Sequence, residues 1–392
     1  MREFILSKIK KVFMIDPQSY NNLALYDKNL FDNIECNKKV LLGNDKFNDS
    51  NKIKFEFKAL YKYSERKYIF KIMSYLVSQL KLLFILKNNN PDIIHFQWFK
   101  IPILDYLFLK IIKKISSKSK IVFTAHNILP HDTGNKYKNI YEKIYKLVDG
   151  IIVHTKKTKD ELYKNFYVNR DKINVIPHGL LELNYNINRT NDFMNSFINL
   201  NKLDDKIVFG FIGSIRENKG IEMLLEVWEE CQFLKNNDEA VLLIAGSCVN
   251  KDLKQKLLRI NELNNIIIDI RFLPIDNFVA YLKVSDVILL PYLNISQSGV
   301  LLTALSEEKP ILVSDRGGLT DPFEVGELGW IIEPTKYNLK NKIIEIINNK
   351  NYIKKIKNDN FLWNRVKKYY SWESIGKETE KFYEKIYNQI EK

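Results

Sequence analysis

Short apolar runs alternating with amphipathic helical segments constrain this 392-residue chain more than any other feature. In its first half, residues 11–15, 40–42, 92–96, 120–125, 150–154 and 173–176 read as strands. Helical periodicity fills the gaps at 21–31, 68–87, 104–115, 137–148 and 157–165. Runs this short, joined by helices, imply parallel strands covered on both faces. The second half repeats the pattern with strands at 207–212, 240–245, 266–270, 287–290 and 310–313, and one near 329–332. The predicted fold class is therefore α/β, with two Rossmann-like, doubly wound parallel-sheet domains, as the length also suggests. Two such sheets side by side face a central cleft at the carboxyl ends of their strands, where ligands bind. The Asn-rich stretch 181–202 has weak periodicity and reads as the connection. The expected division is an N-terminal domain at 1–185, a linker at 186–202, a C-terminal domain at 203–368, and a final helix at 369–392 packing back on the N-terminal domain.

Charge separates the halves. The net charge is +14, yet residues 1–200 hold 34 Lys+Arg against 19 Asp+Glu, so the whole excess lies there. The cations are interleaved with aromatics, as at Tyr61-Lys62-Tyr63, Arg66-Lys67-Tyr68 and Phe70-Lys71, and Tyr106 and Phe108 lie beside Lys110, Lys113 and Lys114. This mixture suits an anionic membrane surface. The aromatics follow helical spacing and no nucleic-acid motif is present, so nucleic acid is not an expected partner. Cys36, Cys231 and Cys248 lack metal or redox spacing, which fits a reducing compartment. Charges interrupt the apolar N-terminus, so no signal segment is expected. No run of about 20 apolar residues is evident; residues 101–112 come nearest and are broken by Asp105 and Lys110. The expected localisation is cytoplasmic, peripheral on the inner face of the cell membrane.

The stretch VFGFIGSIRENKG, Val208 to Gly220, is a buried strand that breaks at Gly213-Ser214 and leads through Arg216 and Lys219 into a helix. Free N–H groups and the helix dipole converge there, and the two side chains add full positive charges, a combination that suits a diphosphate. The loop after Pro291-Tyr292 ends in Gln297-Ser298-Gly299-Val300 at the start of another helix, a second such cradle. Asp315-Arg316-Gly317-Gly318 adds a further glycine turn, and Leu273 closes another strand. In the first half, Asp16, His95, His126, His154 and His178 all end predicted strands. His126 ends a wholly apolar one, so its ring is expected in the cleft.

These segments resemble the family-four, retaining glycosyltransferases of the GT-B fold. The matching stretches are GFIGSIRENKGIEMLLEVW, LLIAGS, RFLPIDNFVAYLKVSDVILLPYLN, KPILVSDRGGLTDPFEVGELGWIIEP and SWESI, with DIIHFQW, IVFTAHNILPHD, DGIIVHT and INVIPHG before them. They run in order across about residues 90–380. The resemblance implies that Lys219 neutralises the donor diphosphate, that Arg216 replaces the family arginine at the position of Ser214, and that His126 lies beside the reacting sugar. Gly317 and Gly318 match a loop near the donor, and Asp286 matches a position read as structural. The chain departs from the family at two glutamates, which align with Ile295 and Thr303; SQSGVLLTAL resembles a sub-branch with Gln-Ser-Gly in their place.

The implied activity moves a hexose-type sugar from a nucleoside-diphosphate donor to a saccharide or lipid-linked acceptor in bacterial surface polysaccharide synthesis. Donor contacts are expected from Gly213, Ser214, Arg216, Lys219, Leu273, Gln297, Ser298, Gly299 and Val300, with Thr303 on the ribose. Asp16 and His126 would position the acceptor. There is no Asp-x-Asp pair, so neither a metal nor another cofactor is implied. A nucleotide-sugar epimerase and a catalytically dead binding protein of the same fold are the alternatives.

Overall fold

The structure, a computed structural model, describes residues 9–20, 22–47, 53–62, 68–260 and 263–389. Tyr63, Arg66, Lys67 and the first eight residues, included in the charge and leader arguments, lie outside them. The chain divides into two units, residues 1–179 with 370–392, and residues 180–369.

In the first unit, β1 (Lys11–Ile15), β2 (Lys38–Asn44), β3 (Glu56–Tyr61), β4 (Ile93–Phe96), β5 (Lys120–Thr124), β6 (Gly150–Val153) and β7 (Ile173–Val175) form one parallel sheet. Its order is β3-β2-β1-β4-β5-β6-β7. The connecting helices are α1 (Asn22–Asp32), α2 (Tyr68–Asn89), α3 (Pro102–Ile115), α4 (Lys138–Leu147) and α5 (Lys156–Phe166). Alternate strand residues fill two cores. Phe13, Ile15, Ile94, Phe96, Ile121 and Phe123 pack on one face, while Val12, Met14, Ile93 and Val122 pack on the other with Tyr26, Leu30 and Phe31 of α1.

In the second unit, α6 (Ile187–Asn201) precedes β8 (Ile207–Ile212), β9 (Ala240–Ala245), β10 (Ile266–Asp269), β11 (Val287–Leu290), β12 (Ile311–Ser314) and β13 (Gly329–Ile332). These strands are parallel, in the order β10-β9-β8-β11-β12-β13. Helices α7 (Ile221–Glu230), α8 (Gln232–Lys235), α9 (Lys251–Ile260), α10 (Ile275–Val284) and α11 (Gly299–Ser306) join them, and α12 (Lys336–Asn348), α13 (Lys350–Lys357) and α14 (Asn360–Tyr369) follow. The last helix, α15 (Trp372–Tyr387), is part of the first unit, where Ile375, Phe382, Tyr383 and Ile386 complete the second core. In both sheets the strand order reverses beside the first strand, at β1/β4 and β8/β11, which are the natural ligand positions of open α/β sheets.

Three expectations are corrected. The proposed linker at 186–202 is helix α6, which belongs to the second unit: Phe193 and Phe197 stand edge-on to Tyr281 of α10 at 5.2 and 5.1 Å. Strand β3 is not among the predicted strands; its polar, alternating sequence fits an edge strand. The most apolar long segment is α2, not 101–112: Ile69–Asn89 has a mean hydropathy of 1.7, long and apolar enough by composition to cross a membrane. Tyr75, Leu82 and Leu86 of α2 are nevertheless buried in the core of the first unit.

Candidate active site

In the second unit, β8 ends where backbone geometry excludes side chains. Gly213 has φ 106° and Gly246 φ 150°, and a Cβ on Gly246 would stand 1.7 Å from the Gly213 carbonyl oxygen. Ile215 N–H donates to Ser247 at 2.8 Å, holding the two turns together. The chain then makes a 3-10 turn, Glu217–Lys219, and reaches Gly220 in the left-handed region at φ 71°. A Cβ there would lie 2.1 Å from the Pro291 carbonyl, so only glycine lets the turn reach the β11 loop. Helix α7 starts at this glycine without a side-chain cap.

Lys219 is half-buried, with its ammonium 5.3 Å from the ring centre of buried Tyr292. Burial, and after it the Arg216 charge, lowers its pKa to about 8. Arg216 is exposed, its Nε donating to Ser214 Oγ at 3.0 Å. Neither cation has an acidic partner among the described residues. Two adjacent cations without a counter-ion repel each other, and a bound anion relieves that repulsion.

The second cradle stands beside the first. Leu293 N–H and Asn294 N–H donate to the Asn218 carbonyl at 2.9 and 3.3 Å, tying the β11 loop to the Arg216–Lys219 turn. A Cβ on Gly213 would be 3.0 Å from the Val300 methyl, so the start of α11 faces the end of β8. Ser298 caps α11, accepting from Leu301 N–H at 3.3 Å, and its Oγ is 3.5 Å from the Tyr292 hydroxyl. From behind, Gly318 N–H donates to Ser296 at 3.0 Å, and Gly317, at φ 56°, would place a Cβ 1.9 Å from the Ile295 carbonyl. The structure thus brings together Gly213, Ser214, Arg216, Lys219, Ser298, Gly299 and Val300. Gln297 and Leu273 are half-buried on their loops. Thr303 departs from its expected ribose role: it is 3% exposed, and its hydroxyl donates to Gly299 within α11 at 2.9 Å. Asp286 is structural, accepting from Val208 N–H at 2.8 Å and pairing with Lys357.

In the first unit the strand ends gather a histidine cluster. His126 Nε2 is 2.9 Å from Gln97 Oε1, and its Nδ1 is 3.1 Å from His154 Nε2. His154 Nδ1 lies 2.9 Å from the Ile176 carbonyl, which can only accept, so this nitrogen carries the proton. Nε2 of neutral His154 and Gln97 Oε1 can both only accept, so the single N–H of neutral His126 serves one of them. Trp98 stacks on His126 at 4.8 Å, and Tyr26 meets His126, His154 and His178 at 4.7, 5.6 and 4.9 Å. His126 is half-buried among Gln97, His154, Trp98 and Tyr26, and these contacts fix its ring orientation. His95 is corrected: it lies inside β4, fully buried, between the Tyr383 hydroxyl at 2.6 Å and Thr124 at 2.7 Å. Asp16 is corrected too. It has no exposed surface, so it cannot touch an acceptor directly; Gln18 N–H donates to it at 2.6 Å, and Asp27 of α1 is its neighbour. Burial raises Asp16 to about 6, and burial with the Asp16 charge raises Asp27 well above the carboxylate range.

Burial holds His95 and His154 at about 3, and burial with the neighbouring histidines holds His126 well below the ordinary value. These rings are neutral in the folded chain at neutral pH. Because the folded value is depressed, stability is full above the unfolded value of about 6.5 and is lost as pH falls towards 3. A His154→Gln variant does not titrate. Its destabilisation relative to wild type is therefore expected to shrink by about 2 kcal/mol between pH 7 and pH 5. Urea midpoints at the two pH values measure this, and an equal penalty at both would mean that the ring titrates normally when folded.

Comparison with known proteins gives the class. Anabaena Alr3699/HepE, solved with UDP, superposes with a TM-score of 0.68 at 13% identity, over 94% of this chain and 98% of that one. A glycosyltransferase from Rickettsia africae gives 0.67 at 17% identity, over 97% and 100%. Sucrose-phosphate synthase from Thermosynechococcus elongatus gives 0.64 at 15%, over 95% and 98%. The fold is GT-B.

More particularly, the family model "Glycosyl transferases group 1" matches residues 192–362, and "Glycosyltransferase Family 4" matches residues 60–180. A glycosyltransferase family model thus matches part of each half of the chain. An uncharacterized glycosyltransferase of Methanocaldococcus jannaschii, MJ1607, is 25% identical over 236 residues, which span 59% of each protein.

Proposed function

We propose that this chain is a nucleotide-sugar-dependent glycosyltransferase. It moves a hexose-type sugar to a saccharide or lipid-linked acceptor in bacterial surface polysaccharide synthesis. The observation that carries this reading is the unpaired Arg216–Lys219 cation pair, tied through Asn218 to the loop that leads to the capped start of α11. As the sugar leaves, charge builds on the diphosphate oxygens. Fixed cations and helix-start N–H groups stabilise that charge more in the transition state than in the ground state. No metal takes part in this scheme. Departure is on the retaining path, with the acceptor attacking from the leaving-group face, so no side chain forms a covalent intermediate. His126, held neutral, acts as a hydrogen-bonding and shape-defining group and not as a cation.

A panel of UDP-, GDP- and dTDP-sugars tests the proposal. UDP-glucose comes first, because Anabaena Alr3699/HepE has been solved with it. Slow release of nucleotide from one donor is expected in the absence of acceptor. Conversion of the donor sugar without nucleotide release would favour an epimerase. Absence of both turnover and calorimetric binding across the panel would favour the non-catalytic reading, which Ile295 and Thr303 in place of the glutamates support.

A further inference from the structure

Helix α2 has two unlike faces. Tyr75, Ser78, Gln79, Leu82 and Leu86 are buried, while Ile69, Phe70, Met73, Val77, Leu80 and Phe84 are 49–70% exposed. On adjoining α3, Ile103, Leu107 and Ile111 are 41–52% exposed at a spacing of four residues. Asp105 of α3 accepts from Tyr75 and Gln79 of α2, locking the two helices together. Apolar side chains scattered singly over a surface need no explanation, but nine on two joined helices do.

The charges beside this face are of one sign. Helix α2 has no acidic residue, and Asp105, the one acid of α3, is buried. Lys71, Lys81, Lys87, Lys110 and Lys114 lie on these helices, and none has an acidic partner among the described residues. Apolar side chains mixed with unpaired lysines complement the headgroup region of an anionic bilayer, where lysine stems lie along the apolar zone and the ammonium groups reach phosphate.

Where β3 meets the first turns of α2 there is a small open recess, lined by Tyr61, Lys62, Lys71, Ser74 and Lys100 among others. Tyr61 is 2% exposed and its hydroxyl has no hydrogen-bond partner. Lys62, Lys71 and Lys100 have no acidic ion-pair partner among the described residues. Partial burial, and after it the Lys71 charge, lowers the pKa of Lys100, with Asp45 acting weakly the other way. Three lysines line this one recess, and their charge complements a phosphate oxyanion.

We propose that the α2–α3 face docks on an anionic phospholipid bilayer, and that Lys62, Lys71 and Lys100 take a lipid phosphate. This deepens the acceptor side of the proposed transferase, but vesicle binding needs no nucleotide sugar, so the two ideas can fail separately.

The full chain is to be sedimented with phosphatidylcholine vesicles, with and without phosphatidylglycerol. Binding is expected only with the anionic lipid and is expected to weaken with salt. A Lys71→Gln/Lys100→Gln variant should lower the partition coefficient about 30-fold. A Phe70→Ser/Phe84→Ser variant should lower it as far without moving the thermal midpoint, because both rings are exposed. Dihexanoyl phosphatidic acid, soluble as a monomer, should bind wild type in calorimetry and not the lysine variant. If inorganic phosphate binds as tightly as that lipid, the pocket is a free-phosphate site and the lipid assignment is overturned. Equal binding to both vesicle types overturns the proposal, as does self-association abolished by the phenylalanine variant while vesicles leave the chain in the supernatant.

Discussion

Replacing Lys219 with alanine is expected to lower kcat about 100- to 1,000-fold while leaving donor affinity changed by a much smaller factor. The reason is the timing of charge. The ammonium faces Tyr292 and lies beside Arg216 with no acidic partner, so its attraction grows as the diphosphate departs. A lysine pKa lowered to about 8 adds a second signature. In the free enzyme, kcat/KM for donor should fall as pH rises through about 8, when Lys219 loses its proton. In a Lys219→Arg variant this limb should vanish, because guanidinium stays charged. Steady-state rates across pH measure both effects. A Lys219→Ala enzyme with near wild-type kcat would remove the residue from the chemistry.

Gly246→Ala is expected to be the most damaging small substitution near the site. The added methyl would sit 1.7 Å from the Gly213 carbonyl, at a φ of 150° that alanine rarely adopts. The backbone must shift, at a cost of about 3 kcal/mol or more. The turn it pushes is the one that faces Val300 and carries Ser214 and Arg216. Donor binding should therefore weaken even in the fraction that folds. Gly134→Ala is the control: Gly134 also has a positive φ, 50°, but no described atom lies within 4 Å of the place its methyl would take. Its cost should be the backbone strain alone, about 1–2 kcal/mol. Chemical denaturation and calorimetric titration of both variants separate the two cases, and equal stability of the pair would refute the close-approach argument.

The glycine-and-cation cluster of the second unit was legible in the sequence because glycines, a prolyl turn and two cations interrupt strands that are otherwise wholly apolar. Those residue types are needed by the backbone itself, so position along the chain reveals them. Burial of polar groups was not legible. Asp16 and His95 read as cleft residues because each closes or sits near the end of an apolar run, yet their partners, Asp27 and Tyr383, come from helices that the strand pattern does not point to. Thr303 carries no mark that distinguishes a ligand contact from a hydroxyl turned back on its own helix. Helix α6 did carry a signal, Phe193 and Phe197 four residues apart behind the Asn186 cap, but the surrounding asparagines obscured it. The outward face of α2 shows the same limit. The segment reads in the sequence as one more amphipathic helix, and only packing distinguishes the apolar face that is covered from the one that is not.

The placement of α15 imposes an order on synthesis. The second core of the first unit includes Ile375, Phe382, Tyr383 and Ile386, supplied by the last helix of the chain. On the ribosome, residues 180–369 are therefore all translated before the first unit can close. The unit begun first is finished last, and a nascent chain stalled anywhere before Trp372 holds an open apolar seam over Val12, Met14 and Val122.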